Sequence, residues 1–156
     1  PVPQGRYRVR LAAADSTGVL GTIELPVNAT LTQMGTFTSS DVLTWYVDAA
    51  NKAQLFAIDD VQDGIDTLHA SLELYPTGAM PTEYPEVQWT LTREGASASV
   101  VPVVDERTSA RPSATMLRAD VEVPWASLPA GTYVIRASLL VNGAAAGTKA
   151  AVVRKR

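Results

Sequence analysis

Apolar and polar side chains alternate in several stretches of the chain, and this two-residue period is typical of β-strands with one buried face. In residues 67–75 the apolar positions are Leu68, Ala70, Leu72 and Leu74. Residues 6–14, 86–93 and 115–123 follow the same pattern. We therefore expect each of these stretches to form a strand with an apolar inner face.

Further strands are predicted where β-branched or aromatic residues lie between turn signals. They are residues 21–27, 52–58, 97–104, 132–141 and 145–153, the last two joined by Asn142-Gly143, a strong hairpin signal. Residues 40–48 are compatible with a strand or with one helical turn capped by Ser40 or Asp41. We favour the strand, because Trp45, Tyr46 and Val47 are better strand than helix formers.

The spacing of these strands predicts the fold class. From residue 52 onward, seven strands follow one another with turns about every 8–12 residues and without a convincing helical pattern. This predicts an all-β, antiparallel sandwich of the immunoglobulin or fibronectin type III kind. We expect specificity in such a domain to lie in loops, here residues 75–85 and 105–113.

An internal repeat predicts how the chain is divided. Residues 2–28 align without a gap with residues 128–154, so that Gly5 matches Gly131 and Tyr7 matches Tyr133. We expect both tyrosines to be core anchors of equivalent hairpins. Residues 1–31 are then the closing hairpin of a preceding sandwich module, residues 32–41 a linker rich in Thr, Ser and Gly, and residues 42–156 a β-sandwich domain.

Composition excludes several classes of function. The chain has 156 residues, a formal net charge of −3 and no cysteine, so thiolate metal sites, cysteine nucleophiles and disulfides are excluded. Because no basic block is present, we expect no binding to nucleic acid. No apolar run reaches the roughly 20 residues of a membrane-spanning helix.

Candidate catalytic chemistry is sparse. The only imidazole is His69, on the polar side of a predicted strand, and we interpret it as a strand residue that faces solvent rather than as a general base. No glycine-rich phosphate loop and no nucleophile–base–acid set can be recognised. We therefore expect the chain not to be an enzyme and to hold no organic cofactor.

One acidic cluster is the candidate metal site. Its members are Asp59, Asp60, Asp63 and Asp66. Closely spaced aspartates can supply the oxygens that Ca²⁺ prefers, although the spacing differs from that of an EF-hand loop. Aspartate and glycine are also ordinary turn formers, so a solvated turn is the alternative that we favour.

The three tryptophans could form a platform for carbohydrate. We expect Trp89 to lie in the core and Trp125 to seal a corner, which leaves Trp45 beside Tyr46 as the one aromatic that could be exposed. Residues 28–30 match a glycosylation sequon, a short pattern that often arises by chance.

Some stretches are similar to a known group of proteins. Residues 2–13 and 15–27, the linker-like run 39–43, residues 72–75 and residues 128–137 resemble the C-terminal β-sandwich region of bacterial, acidobacterial-type proteins with a von Willebrand factor A-type domain. The metal-binding Asp-x-Ser-x-Ser motif of the A domain itself does not occur in this chain, so no functional residue is carried over. The resemblance implies a non-catalytic module of a secreted or cell-envelope protein.

These observations predict a structural or adhesion module that contacts a protein or cell-surface partner. One alternative is a subunit that assembles into a dimer or fibre by adding β-strands across its edges. A further alternative is a module that binds carbohydrate or calcium.

Overall fold

The chain is almost entirely β-strand and pairs antiparallel. The structure, a computed structural model, describes residues 5–56, 64–95, 104–113 and 115–156. Within these ranges one 3₁₀ turn, Trp125–Ser127, accompanies the strands, and no helix is long and apolar enough to cross a membrane. The predicted all-β, antiparallel fold is therefore confirmed. The chain separates into two compact units, residues 1–31 and residues 32–156.

The first unit is a single long hairpin. Strand β1, Gly5–Asp15, pairs with strand β2, Gly18–Ala29, and the register shifts by a bulge next to Ala13. The turn is stabilised by Asp15, whose Oδ1 accepts hydrogen bonds from the backbone N–H and the hydroxyl of Thr17 at 2.7 and 2.6 Å.

The second unit is a sandwich of two sheets. Its strands are β3 Thr32–Met34, β4 Phe37–Ser39, β5 Leu43–Val47, β6 Ala53–Leu55, β7 Leu68–Pro76, β8 Glu86–Arg93, β9 Val104–Ser109, β10 Arg111–Ser113, β11 Met116–Val123, β12 Gly131–Val141 and β13 Ala144–Lys155. One sheet has the order β10-β11-β7-β4-β3, with β5 also paired to β7 and β6 paired to β5. The other has the order β13-β12-β8-β9.

The two antiparallel sheets enclose one core and form a sandwich, the architecture that immunoglobulin-type domains also have. β8 carries the fully buried Trp89, in the place where such domains bury a large ring. Near the start of β12, the hydroxyl of the buried Tyr133 donates a 2.7 Å hydrogen bond to the carbonyl of Pro129, which is the geometry of a tyrosine corner. The expected core positions of Trp89 and Tyr133 are both confirmed.

The core lies between the two sheets. It is formed by the apolar side chains that alternate with polar ones along the strands, as the sequence predicts. The inward side chains of β7 and β8 are completely buried; they are Leu68, Ala70, Leu72, Leu74, Val87, Trp89 and Leu91. Because successive strand residues point to opposite faces, the polar residues between them lie on the outer surfaces.

The predicted linker, residues 32–41, is wrong as a description of this segment. It holds β3 and β4, and β4 pairs with residues 74–76 of β7. Met34 and Phe37 are buried in the core, with Gly35 at φ +60° in the turn between them. Threonine suits a strand as well as a linker, so the polar composition hid two short strands.

Other boundaries differ less. Residues 43–47 form β5, so the strand rather than the helical turn is present in this stretch. Most of the predicted strand at residues 97–104 lies outside the described residues, and β9 begins at Val104. The expected loop at residues 105–113 is wrong, because these residues continue β9 and then form β10. The buried Ala110 marks the place where the chain crosses between the sheets.

Candidate functional site

Trp45 and His69 form a stacked pair on the outer surface of the larger sheet. They are directly opposite each other in the register between β5 and β7, with ring centroids 4.1 Å apart and planes inclined by 13°. The guanidinium carbon of Arg118 lies 5.8 Å from the centre of the Trp45 ring. The indole is therefore half-buried between protein groups rather than exposed as a flat platform, and His69 is packed on one of its faces.

Polar groups next to this pair form a closed network. Ser71 Oγ donates to Asp120 Oδ1 at 2.6 Å and accepts hydrogen bonds from Trp45 Nε1 at 3.0 Å and Arg118 Nη2 at 2.9 Å. Arg118 Nε also donates to Asp120 Oδ1 at 2.7 Å. Because the hydroxyl donates one hydrogen bond and accepts two, its hydrogen and both of its lone pairs are engaged. Ser71 therefore links strands and is not placed to attack a substrate.

The outer surface beside this network is shallow and apolar. A concavity of about 290 Å³ is lined by residues that include Leu43, Ala53 and Leu55. Sequence reasoning found Trp45 and His69 but not Ser71, Arg118 and Asp120. The signal for the latter is the polar side of the alternation in β7 and β11, and only the register between these strands brings them together.

The other two tryptophans belong to the core. Trp89 Nε1 donates to Thr108 Oγ1 at 2.9 Å, and the ring is completely buried. Trp125 packs edge-to-face against Phe56 and Tyr133, with centroids 5.4 and 6.1 Å away. The three indoles therefore do not share a surface of the kind that a carbohydrate platform needs.

The candidate calcium site can be followed at one residue only. Asp59, Asp60 and Asp63 lie outside the described residues. Asp66 is exposed, just before β7, and its backbone carbonyl accepts a hydrogen bond from the N–H of Ala126 at 3.0 Å. Within the described ranges no three His, Cys, Asp or Glu side chains converge to hold a metal ion.

Two carboxylates on the sandwich have well-defined local roles. The hydroxyl of Tyr75 donates to Glu73 Oε2 at 2.6 Å, and this hydrogen bond raises the pKa of Tyr75 to about 12.

In the turn after β5, Asp48 Oδ1 accepts from the N–H groups of Ala50 and Lys52, both at 2.9 Å. The bond from Lys52 is the main cause that lowers the pKa of Asp48.

The hairpin of the first unit repeats the β12–β13 hairpin pair by pair. Gly5 opposes Ala29 as Gly131 opposes Lys155, Tyr7 opposes Val27 as Tyr133 opposes Val153, and the bulge next to Ala13 recurs next to Leu139. The register of both hairpins is thus identical at an offset of 126 residues, including the irregularity. Two unrelated hairpins share a long register and a bulge only by coincidence, so the internal repeat extends to the backbone.

The two hairpins differ in what covers them. In β12 the inner side chains Tyr133, Ile135, Ala137 and Leu139 are at most 1% exposed. The same side of β1 and β2 carries a row of large apolar side chains, which we call the hairpin apolar face: Tyr7, Val9, Leu11, Ile23, Leu25 and Val27. Apart from the half-buried Tyr7, these side chains are 40–54% exposed.

The reverse side of the hairpin is polar. Arg10 forms an ion pair with Glu24 across the two strands, and Arg8 Nη1 lies 3.7 Å from the same carboxylate. All three side chains are well exposed. The hairpin therefore has one side suited to water and one suited to a protein interior.

Comparison with known proteins supplies no relative. No protein family, curated protein or solved structure matches this chain.

Proposed function

We propose that this chain is a non-catalytic structural and interaction module of an exported bacterial protein, and that it contacts a protein partner through the hairpin apolar face. The observation that carries the proposal is the exposure of this face: Leu11 is 54% exposed although its equivalent in the sandwich, Ala137, is completely buried, and Ile23 opposite Leu11 is 53% exposed. Contiguous exposed apolar side chains with a polar surround mark interaction surfaces.

The energetics of a two-stranded hairpin also support the proposal. An isolated hairpin is marginally stable in water, because it buries little apolar surface against the entropy of ordering its backbone. β1 and β2 have 11 and 12 residues, long enough for a large contact. A surface that covers one face would stabilise the strands and remove apolar area from water at the same time.

We propose a module without catalytic activity because the polar side chains on the outer face of the larger sheet are engaged in contacts with one another. The hydroxyl of Ser71 is engaged by Trp45, Arg118 and Asp120, and His69 is stacked on Trp45. These contacts hold the outer face of the sheet in one arrangement. The bacterial and exported part of the proposal rests on the resemblance to von Willebrand factor A-domain proteins.

A second candidate is self-assembly by strand addition. Within the described residues β1 pairs with β2 and with no other strand, so each strand of the hairpin has one open edge. Open edges are templates for pairing with another chain, and two copies could join into a dimer or a fibre.

Site-specific crosslinking tests the proposed contact. A photo-crosslinking amino acid replaces Leu11 on the apolar face, or the exposed Thr22 on the polar face of β2 as a matched control, in the cells that make the protein. We expect a crosslinked product from position 11, identified by mass spectrometry, and none from position 22. If position 11 yields no product, or both positions yield the same products, the proposed contact is wrong.

A further inference from the structure

The pairing of the equivalent strand β12 indicates what kind of strand would pair with β1. On the edge that does not face β13, β12 pairs with β8. The opposing residues, in order, are Tyr133 and Arg93, Ile135 and Leu91, Ala137 and Trp89, and Leu139 and Val87. In the repeat these four positions of β12 correspond to Tyr7, Val9, Leu11 and Ala13 of β1. The partner strand of β1 is therefore expected to run antiparallel to it, in the place that β8 takes beside β12.

Two glycines support the same conclusion. At Gly147 in β13, an added Cβ would lie 2.8 Å from Cγ of Met34, so the methionine of β3 packs directly on the glycine backbone. Gly21 occupies the equivalent place in β2, and nothing lies within 4 Å of a Cβ added there. Glycine weakens a strand and often marks a place where another group approaches the backbone closely. Met34 is that group at Gly147, whereas the space above Gly21 is open and could receive a side chain of a partner.

The side-chain sizes fit a second copy of residues 32–156 poorly and therefore argue against it as the natural partner. Ala137 fits opposite Trp89 where both are completely buried, but the repeat places the larger Leu11 at this position. At the next inward position the small Ala13 replaces Leu139, which opposes Val87. The hairpin would therefore overpack one position of this sandwich and leave a cavity at the next. In addition, β12 already occupies the edge of β8.

We propose that the hairpin apolar face closes a second immunoglobulin-like sandwich, different in sequence from residues 32–156, through pairing of β1 with the strand of that sandwich that corresponds to β8. The inference rests on the proposed function and specifies its partner. That strand carries a residue smaller than tryptophan opposite Leu11 and one larger than valine opposite Ala13. A side chain like that of Met34 fills the space over Gly21, and an aromatic residue meets Tyr7 as Trp125 meets Tyr133.

A graft within the full chain tests whether the hairpin can close a sandwich. Residues 131–155 are replaced by a second copy of residues 5–29, either unchanged or with Leu11→Ala and Ala13→Leu in the grafted copy. We expect both grafts to unfold cooperatively, the unchanged one with a Tm roughly 10 °C or more below that of the parent chain. The graft that carries Leu11→Ala and Ala13→Leu should recover about half of this difference in Tm. As a matched control, the same two substitutions in the original residues 5–29 should leave the Tm of the sandwich unchanged.

Two results of the graft would overturn the inference: an exchanged graft without a cooperative transition, or one no more stable than the unchanged graft. The identity of the segment crosslinked from Leu11 tests the partner itself. A strand of a different β-sandwich supports the inference, whereas a second copy of this chain or a segment outside a sandwich overturns it. The absence of any crosslink from Leu11 contradicts the proposed function instead, so the two failures can be told apart.

Discussion

Ala137 lies directly opposite Trp89 in the register between β12 and β8, and both side chains are completely buried. Leucine would add three carbon atoms at this position, which is closed to solvent. Ala137→Leu should therefore lower the free energy of unfolding by about 1–3 kcal/mol through overpacking.

The matched substitution in the first hairpin is Leu11→Ala, at a side chain that is 54% exposed. It should change the free energy of unfolding of the sandwich by less than about 0.5 kcal/mol. Urea denaturation followed by tryptophan fluorescence measures both variants, because Trp89 reports on the core. Equal effects of Ala137→Leu and Leu11→Ala on the free energy of unfolding would contradict the burial of one hairpin and the exposure of the other.

Gly147 and Gly21 provide a second comparison of equivalent positions. Gly147→Ala should destabilise the sandwich by about 1–3 kcal/mol, since the new methyl group meets Met34. Gly21→Ala meets no neighbour and should be neutral for the sandwich. A double-mutant cycle with Met34→Ala checks the cause: the cost of Gly147→Ala should shrink when the methionine side chain is absent. An unchanged cost would assign the effect to the backbone instead.

Tyr133 should be one of the most costly residues to truncate. The ring is 1% exposed and packs edge-to-face against Trp125. Tyr133→Ala should cost about 3–5 kcal/mol of unfolding free energy, whereas Tyr133→Phe, which removes only the hydrogen bond to Pro129, should cost about 1 kcal/mol.

A matched control for the alanine variant is Tyr84→Ala, at a tyrosine that is 44% exposed. It should cost much less than Tyr133→Ala when both are measured by urea denaturation. A loss below about 1 kcal/mol for Tyr133→Ala would contradict the description of this residue as a core anchor.

The pair Tyr75–Glu73 predicts a dependence of stability on alkaline pH. Its hydrogen bond holds the pKa of Tyr75 at about 12 instead of 10.0. A pKa that is higher in the folded than in the unfolded state contributes stability below pH 10, and this contribution is lost as the pH rises from 10 to about 12. Glu73→Gln should lower the pKa of Tyr75 in an ultraviolet titration of tyrosinate. Glu94→Gln, at an exposed residue in a turn, is the control, and an equal shift in both variants would exclude Glu73 as the cause.

Much of the fold could be predicted from the sequence because strands with one buried face leave a simple signal. The alternation at residues 86–93 gives the bounds of β8, and the turn at Asn142-Gly143 joins β12 to β13. Strands of three residues are too short to show such an alternation. β3 and β4 have three residues each and a polar composition, so residues 32–41 read as a linker, although Met34 and Phe37 anchor them in the core.

The candidate sites were predicted less well, because they depend on register between strands far apart in sequence. Trp45 and His69 could be singled out as residue types, but their stacking follows from the pairing of β5 with β7. The hairpin was the opposite case. Its repeat was visible as matched glycines and tyrosines, whereas only the structure shows that one copy is covered and the other is not.

Hydrogen exchange of the intact chain tests the central claim most directly, because the two equivalent hairpins are compared in one sample. Amide protection reports local opening, and a hairpin without a covering sheet opens far more readily than one inside a sandwich. We predict that the paired amides of β1 and β2 exchange at least about a hundredfold faster than their equivalents in β12 and β13. Protection of the two hairpins to the same degree would contradict the account, since it would mean that the hairpin apolar face is already covered in this chain.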